Sequence, residues 1–305
     1  MKLLLLVNAS ASSVTARGRV VIQKALSADH EIEVAETSRR GHATRMAQGA
    51  AAAGLDAVVV LGGDGTLNEA ANGLAGTETA LAVLPGGSTN VFARTLGVVN
   101  DPVEATGQLV AALGRESSVQ RVGLGTVNGR YFLFHVGVGF DAAVVEQVER
   151  RSDLKRWAGH PLFVYAGFAT WFRHYDRSRP RFAVRTSDAG SVDDAYMAIC
   201  LNTNPYTYLG NRPLSIAPEA TLERGLAIVS VRTMSFLPLL RVIGAALGIG
   251  GSLRRMRNVD YRHDVTQAEV VGHGPFPYQV DGDFLGETTS LTFRHEPDAL
   301  RLVIP

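Results

Sequence analysis

Leu61-Gly62-Gly63-Asp64-Gly65-Thr66-Leu67-Asn68-Glu69 lies where an apolar run, residues 57–61, gives way to a helix-forming stretch. Glycines at such a corner let the backbone approach a ligand closely, and the N–H groups of a helix start face an anion. The pattern predicts a strand–loop–helix corner that holds phosphate. A bare phosphate would repel Asp64, so an aspartate in this loop points to Mg²⁺ between its carboxylate and the phosphate oxygens. The same residues also make an ordinary glycine turn with aspartate as a cap, and spacing alone leaves both readings open.

Around this corner, short apolar runs alternate with helical stretches: 3–7, 16–26, 32–34, 43–53 and 57–61, then 67–74, 81–84 and 90–96. That rhythm predicts an α/β domain with a parallel sheet buried between helices. From about Ser117 the texture changes to strands with turn signals. Residues 119–127 and 131–136 flank Asn128-Gly129, a type I′ hairpin signal, and strand-like runs recur at 182–186, 195–201, 227–231, 269–271, 278–280 and 290–293. One helical segment interrupts them at 161–175. A mostly antiparallel second domain follows, and 305 residues suit two domains at roughly 150 each.

Composition narrows the function classes. With 46% hydrophobic and 19% charged residues the chain can bury two cores, which excludes a disordered or fibrous protein. Thirty basic against 29 acidic residues give a net charge of +1, so nothing on charge grounds argues for a nucleic-acid partner. The single cysteine, Cys200, makes neither an internal disulfide nor a thiolate metal site and fits a reducing cytosol. The apolar start, residues 3–7, stops at Asn8 without a cleavage pattern and reads as a first strand. Residues 236–253 carry Pro238, Arg241 and four glycines, which makes a poor membrane span. None of the lysines, Lys2, Lys24 and Lys155, completes a P-loop, and no zinc-hydrolase or serine-esterase motif is present.

A second loop, Leu84-Pro85-Gly86-Gly87-Ser88-Thr89-Asn90-Val91-Phe92-Ala93-Arg94, again follows a strand, with Ser88 and Asn90 as short polar groups at a helix start. Alone it is a capped helix after a Pro-Gly turn. Two such loops at successive strand ends line one crevice, because open α/β sheets bind ligands outside the carboxyl ends of their strands.

The order of Gly-Gly-Asp-Gly-Thr-Leu-Asn-Glu (62–69), Pro-Gly-Gly-Ser-Thr-Asn-Val-Phe-Ala-Arg (85–94), Gly-Phe-Asp-Ala (139–142) and Asp-Gly-Asp (281–283) resembles the diacylglycerol kinase catalytic-domain family, which includes bacterial lipid kinases and sphingosine kinases. The resemblance implies ATP- and Mg²⁺-dependent phosphorylation of a lipid hydroxyl. It also implies an N-terminal α/β nucleotide domain over 1–120, completed by 292–305, and a C-terminal β-sandwich over 121–291 for the lipid, with the active site in the cleft between them. By the same resemblance Asn8, Ala9, Ser10, Ala11 and Ser12 form the first nucleotide loop, here without the family's proline and glycine. Thr37 falls at a nucleotide-contacting threonine, where it also reads as a helix cap. Gly62, Gly63, Asp64, Gly65, Thr66, Leu67, Asn68, Ser88 and Asn90 complete the nucleotide contacts.

Asp64 and Asp283 are the catalytic candidates. Asp283 stands at the glutamate of the family's Asp-Gly-Glu, the group that takes the acceptor hydroxyl's proton. Asp141 joins Asp64 as a metal-binding candidate, against a plain helix-capping role. Val91 stands where many relatives carry aspartate. Arg224 replaces an aspartate that binds a structural Mg²⁺ in some bacterial members, and arginine cannot ligate a metal, so no such site is expected at 221–226.

The implied partners are a lipid substrate and a membrane surface, with a cytoplasmic location and peripheral association at the inner face of the membrane. Two stretches suit an anionic interface: the aromatic-rich 161–172, flanked by Arg150, Arg151, Lys155, Arg156, Arg173, Arg177 and Arg179, and 236–253, followed by Arg254, Arg255 and Arg257. Both also read as core-packed helices. The oligomeric state stays open between monomer and homodimer. Two other functions share part of the pattern: an NAD-kinase-like enzyme that phosphorylates a soluble nucleotide, and a nucleotide- or lipid-binding regulator without turnover.

Overall fold

In the computed structural model, which describes residues 1–150, 166–187 and 190–305, β1 (Lys2–Val7), β3 (Ala57–Gly62) and β4 (Ala80–Pro85) are almost wholly apolar and buried. Burial on both faces is what a parallel strand between helices requires. β1 pairs in parallel with β2 (Glu31–Glu36) and with β3, and β3 pairs with β4, giving the order β2-β1-β3-β4. Edge strand β2 is largely exposed and carries Glu31, Glu33 and Glu36, charges that discourage pairing with another chain.

Helices start where the sequence supplies caps. Thr15 Oγ1 accepts Gly18 N–H at 3.0 Å at the head of α1 (Ala16–Leu26). Asp101 accepts Val103 and Glu104 N–H at 2.9 Å each at the head of α5 (Pro102–Leu113), with Pro102 in the first turn. α2 (His42–Ala52) packs on α3 (Asp64–Leu74), α1 packs on α5, and the short α4 (Val91–Thr95) follows β4.

The chain divides into two units, Met1–Leu124 with Pro297–Pro305, and Gly125–Glu296. The sequence placed these boundaries a few residues earlier. Strands β5 (Val119–Val127) and β16 (Asp283–Val303) each run unbroken through a boundary, so no turn signal marks it. The last stretch of β16 enters the first unit, where Leu302 lies parallel to Leu81 of β4.

In the second unit β5 turns through Asn128 (φ 48°) and Gly129 (φ 83°), both left-handed as a type I′ hairpin demands, into β6 (Arg130–Phe132). After β7 (His135–Gly139) comes α6 (Phe140–Glu149). Residues 166–169 are helical and run into a π-turn, Thr170–His174. β8 (Phe182–Thr186), β9 (Ser191–Ala195), β10 (Met197–Leu201), β11 (Thr207–Leu209), β12 (Arg212–Leu214), β13 (Leu226–Val231), α7 (Phe236–Ala246), β14 (Val259–Val265) and β15 (Gln267–Val280) complete it.

The pairing is antiparallel, in the order β14-β13-β10-β7-β15. β15 changes partner along its length: residues 268–272 pair with β8 and residues 278–280 with β7, with a register shift between Val271 and Phe276. A strand that switches neighbours at an irregularity lets the sheet fold over on itself. Phe132, Phe182, Phe276, Phe293, Val136 and Leu291 fill the core it encloses. A second core, with Ile199 and Val229, takes the inner stripe of α7: Leu239, Val242 and Ala246.

Candidate active site

The chain leaves β1 toward β2 and returns to β3 on the opposite flank, so the carboxyl ends of β1 and β3 form a topological switch point, where open α/β sheets take their ligands. Asn8 follows β1, and the glycine corner of the first motif ends β3. Asn8 Nδ2 donates to Thr66 Oγ1 at 2.9 Å, and Asn8 Oδ1 accepts Ser10 N–H at 3.1 Å, a local turn that shapes the first loop. Ser13 N–H donates to Gly86 O at 2.8 Å and Ser13 Oγ to Gly87 O at 3.1 Å. Thr37, at the end of β2, donates its N–H to Val7 O at 2.9 Å. The loops at residues 8–13, 62–66 and 85–90 are therefore tied into one surface.

The two glycine pairs are there because the loops touch backbone to backbone. Gly86 N–H donates to Gly62 O at 2.8 Å, and a Cβ on Gly86 would lie 2.8 Å from both Gly62 Cα and Gly62 N. Asn90, left-handed at φ 51°, holds the second loop from within: its Oδ1 accepts Gly87 N–H at 2.8 Å and its Nδ2 donates to Gly87 O at 2.8 Å. At the start of α3, the N-cap Gly63 offers no side chain to the first turn, as an anion-binding helix start requires.

The acids of the first motif cap helices other than their own. Asp64 Oδ2 accepts Val91 N–H at 3.0 Å and Oδ1 accepts Phe92 N–H at 3.1 Å, capping α4. Glu69 accepts Gly41 N–H at 2.8 Å and Ala43 N–H at 3.2 Å, capping α2. The two sequence readings of Asp64, cap and ligand to a cation, are thus compatible. A carboxylate has about four lone-pair sites, and Asp64 keeps a half-exposed position at the loop.

In the second unit the Asp281-Gly282-Asp283 turn joins β15 to β16, with left-handed φ at Asp281 (49°) and Gly282 (83°). Asp281 is buried and accepts Leu133, Phe134 and His135 N–H at 2.7, 3.0 and 3.0 Å, which fixes one side of the turn. Gln279, fully buried, fixes the other: its Oε1 accepts Gly282 N–H at 2.8 Å and its Nε2 donates to Asp141 Oδ2 at 2.9 Å. Tyr206 OH donates to Asp141 Oδ1 at 2.6 Å. Burial pushes the Asp141 carboxyl above its usual range, opposed by these two hydrogen bonds, and pushes the Tyr206 hydroxyl up as well. Glu149 accepts Phe284 N–H at 3.0 Å just beyond the turn. Asp283 itself is half-exposed.

The expected residues therefore fall into three groups. Asn8, Ala9, Ser10, Ala11, Ser12, Gly62, Gly63, Asp64, Gly65, Thr66 and the exposed Ser88 sit on the loops at the strand ends, with Thr37 on the neighbouring one. Leu67, Asn68 and Asn90 are buried behind those loops, so their side chains support the surface rather than line it. Asp141 and Asp283 belong to the second unit.

Among the described residues no group of three or more His, Cys, Asp or Glu side chains is arranged to hold a metal ion. Mg²⁺ commonly takes only one or two carboxylates with substrate phosphates and water, and Asp64 fits that pattern. Asp141 is committed to Tyr206 and Gln279. Arg224 is exposed, and the turn beside it is closed by Gly225 N–H donating to Asp264 Oδ1 at 2.9 Å. Sequence reasoning did not single out Ser13, Tyr206 or Gln279. A glutamine within the otherwise apolar and aromatic run 276–280 was the available signal, because a polar side chain in a core strand is seldom idle.

The family model of the diacylglycerol kinase catalytic domain matches residues 2–122. A Pseudomonas putida protein named "Probable lipid kinase YegS-like" is 34% identical over 279 residues, 90% of this chain and 85% of that one. A Bacillus subtilis diacylglycerol kinase is 37% identical over 150 residues, 48% of this chain and 47% of that one. The solved structure of a diacylglycerol kinase from Bacillus anthracis str. Sterne superposes with a TM-score of 0.72 at 21% identity, covering 100% of this chain and 97% of that one, a likeness of fold. The chain belongs to the diacylglycerol kinase catalytic-domain family, among its YegS-like lipid kinases.

Proposed function

We propose that the chain transfers the γ-phosphate of ATP, with Mg²⁺, to the hydroxyl of a lipid of the diacylglycerol or sphingoid type. The observation that carries the reading is the joining of the glycine loops of β3 and β4 through Asp64 at the switch point of the parallel sheet. In the first unit the glycine corner and the head of α3 cradle the phosphates by backbone N–H, with Asn8 and Ser88 supplying polar contacts. Asp64 holds the cation, which when bound neutralises charge on the transferring phosphoryl group. In the second unit Asp283 accepts the acceptor hydroxyl's proton as that oxygen attacks. Asp281, Gln279 and Asp141 keep the turn bearing Asp283 in one orientation.

The test is transfer of labelled γ-phosphate from ATP to a panel of detergent-dispersed diacylglycerols, sphingoid bases and soluble nucleotides, with Asp64→Ala and Asp283→Asn as controls. Label in a lipid only with both aspartates intact supports the reading. Label in NAD would favour a nucleotide kinase, and ATP binding without transfer would favour a regulator.

A further inference from the structure

Helix α7 carries a face that phosphoryl transfer does not use. Its inner stripe is buried, yet its outer side is also apolar: Phe236 is 43% exposed, Leu237 66%, Leu240 41% and Ile243 46%, and Ile249 just beyond the helix is 57% exposed. An exposed helix face is normally charged, and clustered large apolar side chains at the surface mark an interaction site.

Along its own stretch of chain the charge has one sign. From 233 to 259 the chain has no acidic residue and four arginines, Arg241, Arg254, Arg255 and Arg257. Arg254 is engaged by Glu219 at 2.7 Å and by His263. Arg241, Arg255 and Arg257 are exposed, and among the described residues none has an ion-pair partner. At the head of α7 the Trp171 ring lies 5.5 Å from Phe236, its N–H donates to Met234 O at 3.1 Å, and the Arg177 guanidinium sits 3.8 Å over it. Aromatic rings beside cations at the edge of an apolar face suit a membrane–water interface. Eleven residues are too few to cross a bilayer, and no described helix is long and apolar enough to do so. A second copy of the chain fits poorly, because a two-fold contact through this face would bring the unpaired Arg241, Arg255 and Arg257 against their own copies. Of the two stretches flagged in the sequence, α7 lies wholly within the described residues, whereas 161–165 of the other, with its flanking residues 151–160, lies outside them.

We propose that the outer face of α7, with Arg241, Arg255 and Arg257, docks the chain on an anionic lipid bilayer. The proposal deepens the lipid-kinase reading and rests on it only for the choice of a bilayer as occupant.

The test is co-sedimentation with phosphatidylcholine vesicles, with and without phosphatidylglycerol, in the absence of ATP. The wild-type chain is expected to bind the anionic vesicles and to release as salt approaches about 1 M. Replacing Arg241, Arg255 and Arg257 with Gln should weaken binding by about fivefold per arginine at low salt. Replacing Leu237, Leu240 and Ile243 with Ser should weaken it by at least about tenfold at low salt, with every arginine in place, and with the urea midpoint unchanged because these side chains are exposed. Absence of wild-type binding, or variants that bind as well as wild type, would overturn the proposal. So would a homodimer in analytical ultracentrifugation that the serine variant dissociates. Transfer to a dispersed short-chain acceptor, measured separately, reports on the kinase reading alone.

Discussion

Gln279 and Asp141 meet through a single hydrogen bond, Nε2 to Oδ2 at 2.9 Å, whose direction is forced. The other end of the amide faces Gly282 N–H, which can only donate, so the oxygen of Gln279 points there and its nitrogen points to the carboxylate. Gln279→Leu would take these partners from the half-buried Gly282 N–H and from a buried Asp141 oxygen, the second at a cost of roughly 1–3 kcal/mol. We expect kcat to fall more than tenfold with the KM for ATP little changed, because ATP is assigned to the other unit. Gln279→Glu is the informative companion. Its protonated form can replace both hydrogen bonds, whereas its ionised form faces the Asp141 carboxylate, with Tyr206, His135 and Asp281 also around the turn. Turnover of this variant should fall as pH rises, while the leucine variant stays low at every pH. A pH profile of the two variants checks this.

In its proposed role Asp64 joins the stability of α4 to cation use. Asp64→Ala removes the acceptor of the first two N–H groups of α4, a loss of about 1–2 kcal/mol by analogy with helix caps. It also removes the proposed cation ligand. Urea unfolding should show the first effect without Mg²⁺, and Mg²⁺-ATP titration the second. An alanine variant with altered stability and normal transfer would leave Asp64 as a cap alone.

The glycines separate in the same way. Gly86→Ala would place a Cβ 2.8 Å from the Gly62 backbone and 2.9 Å from Val14 Cγ2, so the loops must part and ATP affinity should drop by an order of magnitude or more. Gly107, inside α5, has nothing among the described residues within 4 Å of its would-be Cβ. Gly107→Ala should raise stability by about 0.5–1 kcal/mol with ATP binding untouched. Isothermal titration beside thermal melts tests both.

His135 is expected to make the second unit acid-sensitive. It is buried, its Nδ1 has no hydrogen-bond partner among the described residues, its ring lies 4.3 Å from that of Tyr206, and burial pushes its pKa down to about 3 from 6.5. The unfolded chain therefore takes up a proton first. The stability this group contributes is full above about pH 6.5 and is lost toward pH 3, at about 1.4 kcal/mol per unit. Asp141 has the opposite sign, since its raised pKa favours the folded state as pH falls. His135→Phe keeps the ring contact and should flatten the fall between pH 6.5 and 4, as read from urea midpoints. An unchanged slope would remove His135 as its cause.

The parallel sheet was legible because β1, β3 and β4 are uninterrupted apolar runs, and the hairpin at Asn128-Gly129 because its turn type needs left-handed residues. In the sequence β15 shows as two separate runs, 269–271 and 278–280, with Gly272, Gly274 and Pro275 between them. The strand instead runs through them as a register shift while changing neighbours. The loops at 62–66 and 85–90 announced themselves by glycine. Asp64 as the cap of α4, and the Tyr206–Asp141–Gln279 chain, join residues far apart in sequence, and no local pattern encodes them.

The pairing of Leu302 with Leu81 sets an order of events during synthesis. The first unit lacks its strand beside β4 until all of Gly125–Glu296 has left the ribosome, which at about 5–20 residues per second takes roughly 10–30 s. Through that interval β4, apolar along its whole length, is an open sheet edge on a nascent chain. A chaperone that shields it, or a second unit that folds quickly enough to deliver β16, would then govern the yield of the enzyme more than the final stability of either unit.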